Sequence, residues 1–145
     1  MDITYLGHSS FKIFTNSSPT GVKTKVSVIT DPFDPSMVGF KFPQNEADIV
    51  TISHGHKDHN FVEKVSGVKK IVEGPGEYEI SGVSIMGFPS FHDNEKGEAR
   101  GKNTIYVIEC EGLRIAHLGD LGGSLSDEIV DEMGSIDILM IPVGG

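Results

Sequence analysis

Residues 53–60 (SHGHKDHN) contain three histidines and one aspartate within six consecutive positions. Neutral imidazole and carboxylate are the side chains that bind Zn, Mn or Fe in proteins. His54 and His56 are two positions apart, so an extended chain directs both to one side, and Asp58 and His59 follow where the chain should turn. Histidine is uncommon and this spacing is demanding, so a solvated, histidine-rich turn is the weaker explanation. The segment therefore predicts a metal centre.

The strand that must position this segment lies directly before it. Residues 48–53 (DIVTIS) form an almost continuous apolar run, which is typical of a strand buried on both faces. Functional side chains commonly lie on the loops that follow such strands. We therefore expect the histidines at the carboxyl end of a buried strand.

The rest of the chain alternates short strands and turns, without an internal repeat. Further strands are predicted at 2–7, 10–15, 25–30, 69–72, 78–88, 104–109, 112–117 and 136–142. Loops are predicted at 16–24, 33–47 and 92–103, and a short helix at 60–66. Ser126 and Gly134 are suited to begin and end a helix over residues 127–133. This pattern predicts a sandwich of sheets with helices outside, and one domain over residues 1–145.

Composition limits the classes of function. The net charge of −9 disfavours a non-specific nucleic-acid binder, because such proteins need Lys and Arg to displace counterions. No apolar stretch is long enough to span a membrane, so we expect a cytoplasmic protein without a membrane partner. The single cysteine, Cys110, lies in an apolar run, which predicts a buried thiol rather than a nucleophile.

The segment at 54–59 (HGHKDH) resembles the His-x-His-x-Asp-His signature of the metallo-β-lactamase superfamily. The chain is further similar to one branch of it, the bacterial and archaeal hydrolases related to ascorbate-6-phosphate lactonase. The segments that carry this second resemblance are 5–10 (YLGHSS), 30–32 (TDP), 74–79 (GPGEYE) and 117–122 (HLGDLG). The resemblance implies an α/β fold, the metallo-β-lactamase αββα sandwich, here without its C-terminal part.

The resemblance also implies a ligand set for two metal ions. His54, His56 and a later lone histidine, His92, would bind the first ion. Asp58 and His59 would contribute to the second ion. Zinc is the favoured metal, with Mn or Fe as alternatives.

Four further residues are candidates for a place in or near the metal centre. Asp120 matches the carboxylate that bridges both metals, and Asp31 matches an acidic residue that orients a ligand histidine. His8 ends a predicted strand and either lines the pocket rim, where it would contact substrate, or lies on the hairpin surface. His117 is expected to be a strand histidine without a catalytic task.

The resembled pattern contains another histidine for the second metal, after a further strand and helix. Nothing follows Gly145, so either the chain is incomplete or the second metal site is weak. Residues 136–142 (IDILMIP) also predict a central strand buried on both faces, which needs covering layers. Both arguments predict an incomplete domain that exposes apolar surface when it is expressed alone.

The predicted activity is that of a metal-dependent hydrolase acting on a lactone, ester or phosphoester of a small molecule. A water held between two divalent cations loses its proton near neutral pH, and the resulting hydroxide attacks the substrate. Asp58 would be the catalytic group that orients the nucleophile and carries its proton. The alternatives are a nuclease of the same superfamily, a di-iron redox protein, disfavoured because His56 is not glutamate, and a metal-binding module without turnover. Homo-oligomer formation stays open.

Overall fold

The computed structural model describes residues 1–17, 24–39 and 41–144. In chain order the strands are β1 (Asp2–Gly7), β2 (Ser10–Ser17), β3 (Thr24–Thr30), β4 (Asn45–Glu46), β5 (Ile49–Ile52), β6 (Val65–Ser66), β7 (Lys70–Glu73), β8 (Gly76–Ile80), β9 (Val83–Phe91), β10 (Lys102–Cys110), β11 (Leu113–His117) and β12 (Ile138–Met140). The helices are α1 (Pro35–Val38) and α2 (Asp127–Met133), and Val62–Lys64 forms a 3₁₀ turn.

Two five-stranded sheets form the architecture, with the strand orders β1-β2-β3-β5-β7 and β12-β11-β10-β9-β8. Their facing surfaces share one apolar core, in which Val28 and Ile49 of the first sheet pack with Ile85 and Ile108 of the second. All four side chains are fully buried. The sandwich of sheets predicted from the sequence is confirmed by this architecture.

The strands that lead to the histidine segment are apolar on both faces. β3 and β5 pair in parallel, and Val28 and Ile49 contribute to the core between the sheets. Their neighbours Ile29 and Val50 join a second cluster with Phe33 on the outer face of the sheet. Because both faces are covered, the sequences of these parallel strands are continuously apolar. Their parallel pairing places their carboxyl ends side by side.

Helix α2 covers the outer face of the second sheet. Ser126 caps the helix, since its hydroxyl accepts a hydrogen bond from the backbone N–H of Ile129. Met133 is buried and packs in a cluster with Phe88 and Val107. Gly134 ends the helix with a φ of 63°, so the predicted helix over 127–133 is confirmed with both of its caps.

Several predicted elements differ in detail. The stretch 33–47 is not a loop throughout, because it contains α1 and β4. The single strand predicted at 78–88 is two strands, joined by a tight turn at Ser81 and Gly82, which both have positive φ. The helix predicted at 60–66 is a 3₁₀ turn followed by β6. Of the loop predicted at 16–24, residues 18–23 lie outside the described residues.

The strand predicted at 136–142 is the shorter β12 (Ile138–Met140), and the described residues show the exposed apolar surface and the open sheet edge that the sequence predicts for this chain. β12 is an edge strand, paired in parallel with β11 alone in its sheet. Met140 is buried against the core, but Leu139 is 55% exposed. The apolar run predicted burial on both faces, whereas only one face meets other residues here.

No helix among the described residues combines the length and apolarity needed to cross a membrane.

Candidate metal centre

The candidate site lies where four strands end. Asp31 follows β3 directly, and His54 comes two residues after β5. His92 follows β9, and Asp120 comes three residues after β11. The two sheets thus bring together side chains that are far apart in the sequence, at one end of the sandwich.

Three histidines form the first group. The ring nitrogens of His54, His56 and His92 that could bind a metal lie within 4.8 Å of one another. Nε2 of His54 is buried and has no hydrogen-bond partner among the described residues. A buried polar atom without a partner is rare and needs an explanation. A divalent cation fits these residues, because it would take the free lone pair of His54.

Asp31 sets the orientation of two histidines. Its Oδ2 lies 2.8 Å from Nδ1 of His59 and accepts a hydrogen bond of 2.5 Å from the hydroxyl of Ser53. The hydroxyl oxygen of Ser53 is in turn 2.9 Å from Nδ1 of His54. Both histidines therefore carry their proton on Nδ1 when neutral, which leaves Nε2 free to bind a metal.

The charge of Asp31 is maintained although the side chain is fully buried. Burial alone would raise the pKa of Asp31, but the hydrogen bond from His59 and the nearby His117 outweigh it, so the pKa lies below its ordinary value. The ionised carboxylate is an acceptor only, so it must receive the Nδ1 proton of His59.

Asp120 lies between the histidines. Its Oδ2 is 3.1 Å from Nε2 of His92 and 3.2 Å from Nε2 of His59. The same oxygen is 3.9 Å from Nε2 of His54. Burial opposes the charge of Asp120, but the hydrogen bond with His59 prevails and lowers the pKa of Asp120 to about 2.

The two buried histidines have opposite electrostatic surroundings. Burial lowers the pKa of His59, but its bonds with Asp120 and Asp31 outweigh burial and raise that pKa to about 10. Burial, followed by repulsion from His59, lowers the pKa of His54 to about 4. The surroundings of His59 therefore favour positive charge, whereas those of His54 favour the neutral imidazole, which can bind a metal.

A second group of ligand atoms adjoins the first. It contains His8, Asp58 and His59, whose ligand atoms lie within 4.8 Å of one another. Nε2 of His8 is 3.1 Å from Nε2 of His59 and 3.4 Å from Oδ2 of Asp58. The sequence left two positions open for His8, the rim of the pocket and the surface of the hairpin. In the structure its side chain faces the site.

Two glycines let the backbone approach the site closely. A Cβ at Gly119, whose φ is 57°, would lie 2.5 Å from both Oδ1 of Asn103 and Cβ of Ser53. A Cβ at Gly122 would lie 2.4 Å from backbone atoms of His92. Glycine at these two positions therefore allows the loop that carries Asp120 to pack against the histidines.

Asn103 was not identified from the sequence, although it supports the site. Its Oδ1 accepts a hydrogen bond of 3.0 Å from the backbone N–H of Asp120, and its Nδ2 donates to the carbonyl of Leu118 at 2.9 Å. The side chain is buried at the start of β10. The available signal was a lone amide at the start of an otherwise apolar strand, since a buried polar group must have partners.

His117 is a buried strand histidine, as predicted. Its Nε2 donates a hydrogen bond of 2.9 Å to the carbonyl of Ser9, next to His8. A cavity of about 880 Å³ opens over the site. Its walls include Tyr5, Phe11, Arg100 and residues 140–144.

Comparison with known proteins identifies the family. The family described as Beta-lactamase superfamily domain matches residues 2–145. A UPF0173 metal-dependent hydrolase of Thermococcus onnurineus is 30% identical over 171 residues, which cover 99% of this chain and 72% of the relative. A protein of the same name from Pyrococcus abyssi is 26% identical, with the same coverage.

Solved structures with a similar fold support the same family. A Thermotoga maritima structure of the metallo-beta-lactamase superfamily has a TM-score of 0.71 and 38% identity, over 94% of this chain and 58% of that one. A diiron beta-hydroxylase from Streptomyces venezuelae, with a TM-score of 0.61 and 14% identity over 94% of this chain and 33% of that one, shares the fold alone. The chain thus spans less than two thirds of the Thermotoga protein. The present chain belongs to the beta-lactamase superfamily domain family, among the metal-dependent hydrolases of the metallo-β-lactamase fold.

Proposed function

We propose that this chain hydrolyses a lactone, an ester or a phosphoester of a small molecule with the help of two divalent metal ions, with zinc favoured. The observation that carries the proposal is the position of Asp120. One carboxylate oxygen of Asp120 lies between the two ligand groups, 3.1 Å from Nε2 of His92 and 3.2 Å from Nε2 of His59. A carboxylate shared by two groups of nitrogen ligands suits a two-metal hydrolytic site.

The residues divide into two ligand groups around Asp120. His54, His56 and His92 would hold one ion, and Asp58 and His59 would contribute to the other. When bound, divalent ions supply positive charge that lowers the pKa of the attacking water and stabilises negative charge on the substrate oxygen.

Asp58 is proposed to accept the proton of the attacking water and to transfer it to the leaving group. Its carboxylate is about one third exposed and borders the cavity, so it can accept a hydrogen bond from the attacking water and carry the proton to the leaving group. A thiol nucleophile is disfavoured, because Cys110 is buried in the core and burial raises its pKa.

The cavity supports a small-molecule substrate. Its volume of about 880 Å³ lies in the range of small-molecule sites. Arg100 contributes a cation to its wall, and Tyr5 and Phe11 contribute aromatic surface. The net charge of −9 disfavours a nucleic-acid substrate.

The test is a hydrolysis panel with the metal-loaded protein, containing a lactone, a carboxylic ester, a phosphomonoester, a phosphodiester and a single-stranded RNA. We expect turnover of at least one small substrate, lost on chelation and lost in His54→Ala. His117→Ala is the matched control, a buried histidine outside the three-histidine group, and should retain the first metal. Two tightly bound metals without any turnover would instead support a metal-binding module, and cleavage of RNA alone would support the nuclease.

A further inference from the structure

We propose that His8 binds the second metal ion, together with Asp58 and His59. The inference rests on the proposed function in one respect, that divalent ions occupy this site. It assigns to the turn between β1 and β2 a ligand that the local histidine segment does not contain. His8 would then belong to the metal centre as well as to the wall of the cavity.

The distances fit a common ion. In a tetrahedral site with metal–ligand bonds of about 2.0–2.1 Å, neighbouring ligand atoms are about 3.3–3.4 Å apart. Nε2 of His8 lies 3.1 Å from Nε2 of His59 and 3.4 Å from Oδ2 of Asp58. The third distance, between Nε2 of His59 and Oδ2 of Asp58, is 3.8 Å. These three atoms therefore form one face of a tetrahedron of nearly the required size.

The direction of His59 agrees with this assignment. Its Nδ1 is engaged by Asp31 at 2.8 Å, so its Nε2 faces His8 and is available as a ligand atom. The Nε2 atoms of His8 and His59 face each other at 3.1 Å, where at most one hydrogen bond can form between them, whereas a cation can bind both nitrogens. Asp120 lies 3.2 Å from the same Nε2 of His59, so its carboxylate adjoins this group of ligand atoms.

Hydrogen bonds hold the turn that carries His8. His8 has a φ of 52°, in the left-handed region that disfavours most side chains. Contacts on both sides keep the turn in this conformation. The hydroxyl of Tyr5 donates to the carbonyl of His8 at 3.0 Å, and His117 donates to the carbonyl of Ser9 at 2.9 Å. Because the turn is held from both sides, the imidazole of His8 stays directed at His59 and Asp58.

The decisive variant is His8→Gly, because glycine removes the imidazole and accepts the positive φ without strain. The full chain is loaded with Zn²⁺, and bound metal is counted by atomic emission after dialysis. In a parallel titration with Co²⁺, the visible absorption reports the ligands directly. The matched control is Ser81→Gly, which relieves the same kind of strain, at a φ of 54°, in the turn between β8 and β9.

We expect two ions per chain in the wild type and in Ser81→Gly, and one in His8→Gly. The affinity for the second ion should fall at least about 100-fold, since even loss of a partner behind a ligand costs 10–100-fold. Added imidazole should restore the second ion and its Co²⁺ spectrum in His8→Gly. A second variant, His8→Asn, also tolerates positive φ and should behave like His8→Gly without imidazole.

Two ions bound with wild-type affinity in His8→Gly would overturn the assignment, as would a wild type that binds only one ion. These readouts are independent of turnover. A wild type that binds two ions through His8 but hydrolyses no substrate would contradict the proposed function alone. Conversely, a His8→Gly variant that keeps both ions would contradict the role of His8 alone.

Discussion

The carboxylate of Asp31 and the imidazole of His59 are both fully buried, and they are joined by a contact of 2.8 Å between Oδ2 and Nδ1. The same carboxylate oxygen accepts from Ser53, whose hydroxyl contacts His54. One buried anion thus orients a histidine of each ligand group. Through hydrogen bonds alone, Asp31 determines which nitrogen atoms can bind metal.

Asp31→Asn should weaken metal binding. Both oxygens of Asp31 accept hydrogen bonds, Oδ1 from the backbone N–H of Ser53 and Oδ2 from His59 and the Ser53 hydroxyl. An amide would direct its NH₂ group at a donor on one of these two sides, so His59 and His54 lose their fixed orientation. We expect a 10–100-fold loss of Zn²⁺ affinity, measured by competition with a chromogenic chelator. The control is Asp34→Asn at the cap of α1, where asparagine caps equally well. Affinity within threefold of wild type in Asp31→Asn would contradict the orienting role.

Asp58→Ala should reduce kcat by at least about 100-fold on whichever substrate the panel identifies, the lower scale for a general acid–base group. Because Asp58 would also bind the second ion, kcat is compared at saturating metal, where KM should change much less, since proton transfer contributes to the transition state rather than to substrate binding. Glu77→Ala removes an exposed carboxylate on β8 and serves as the control. A kcat within a few-fold of wild type would show that Asp58 neither orients the water nor carries its proton.

Gly122→Ala should damage the first ligand group through the backbone. The added methyl would lie 2.4 Å from backbone atoms of His92, which cannot move away as the end of a flexible side chain could. We expect loss of the first metal and a lower Tm. At Gly123, a Cβ would meet its nearest atom at 3.4 Å, an ordinary contact, so Gly123→Ala should bind metal normally. Equal effects of the two substitutions on metal stoichiometry would contradict the close-approach argument.

Glu111 links the two sheets in a pH-dependent manner. Its carboxylate accepts hydrogen bonds from the backbone N–H of Asn16 at 2.7 Å and from the hydroxyl of Thr15 at 3.0 Å, both on β2. The bond from Asn16, followed by those from the N-terminal ammonium and Thr15, lowers the pKa of Glu111 to about 2. Because the folded pKa is depressed, the stabilisation is present above the ordinary glutamate pKa and is lost as the pH falls toward 2.

Glu111→Gln should therefore lower the Tm above about pH 5, and the difference from wild type should shrink as the pH approaches the folded pKa of about 2. Thermal melts followed by circular dichroism across this range provide the measurement, with Glu79→Gln on β8 as an exposed control. A difference in Tm that stays constant with pH would show that the charge of Glu111 does not contribute.

The ligand types and their local order were determined by the sequence itself. The spacing from His54 to His59 is local, so a single strand end brings these residues together without help from distant segments. The helix over 127–133 and its caps were likewise predictable, because capping depends on neighbours within one turn. The apolar run before the histidines predicted a buried strand, and β5 is buried along its whole length.

Only the tertiary structure decided the contacts between distant segments. His8 lies 51 residues before His59, and nothing in the local pattern indicates that the turn after β1 faces the histidine segment. Asn103 contacts Asp120 from a neighbouring strand, through the register of β10 against β11. The edge position of β12 depends on which strands find partners, which an apolar run alone does not specify. Sheet pairing is non-local, so it determines which of the chemically suitable residues meet.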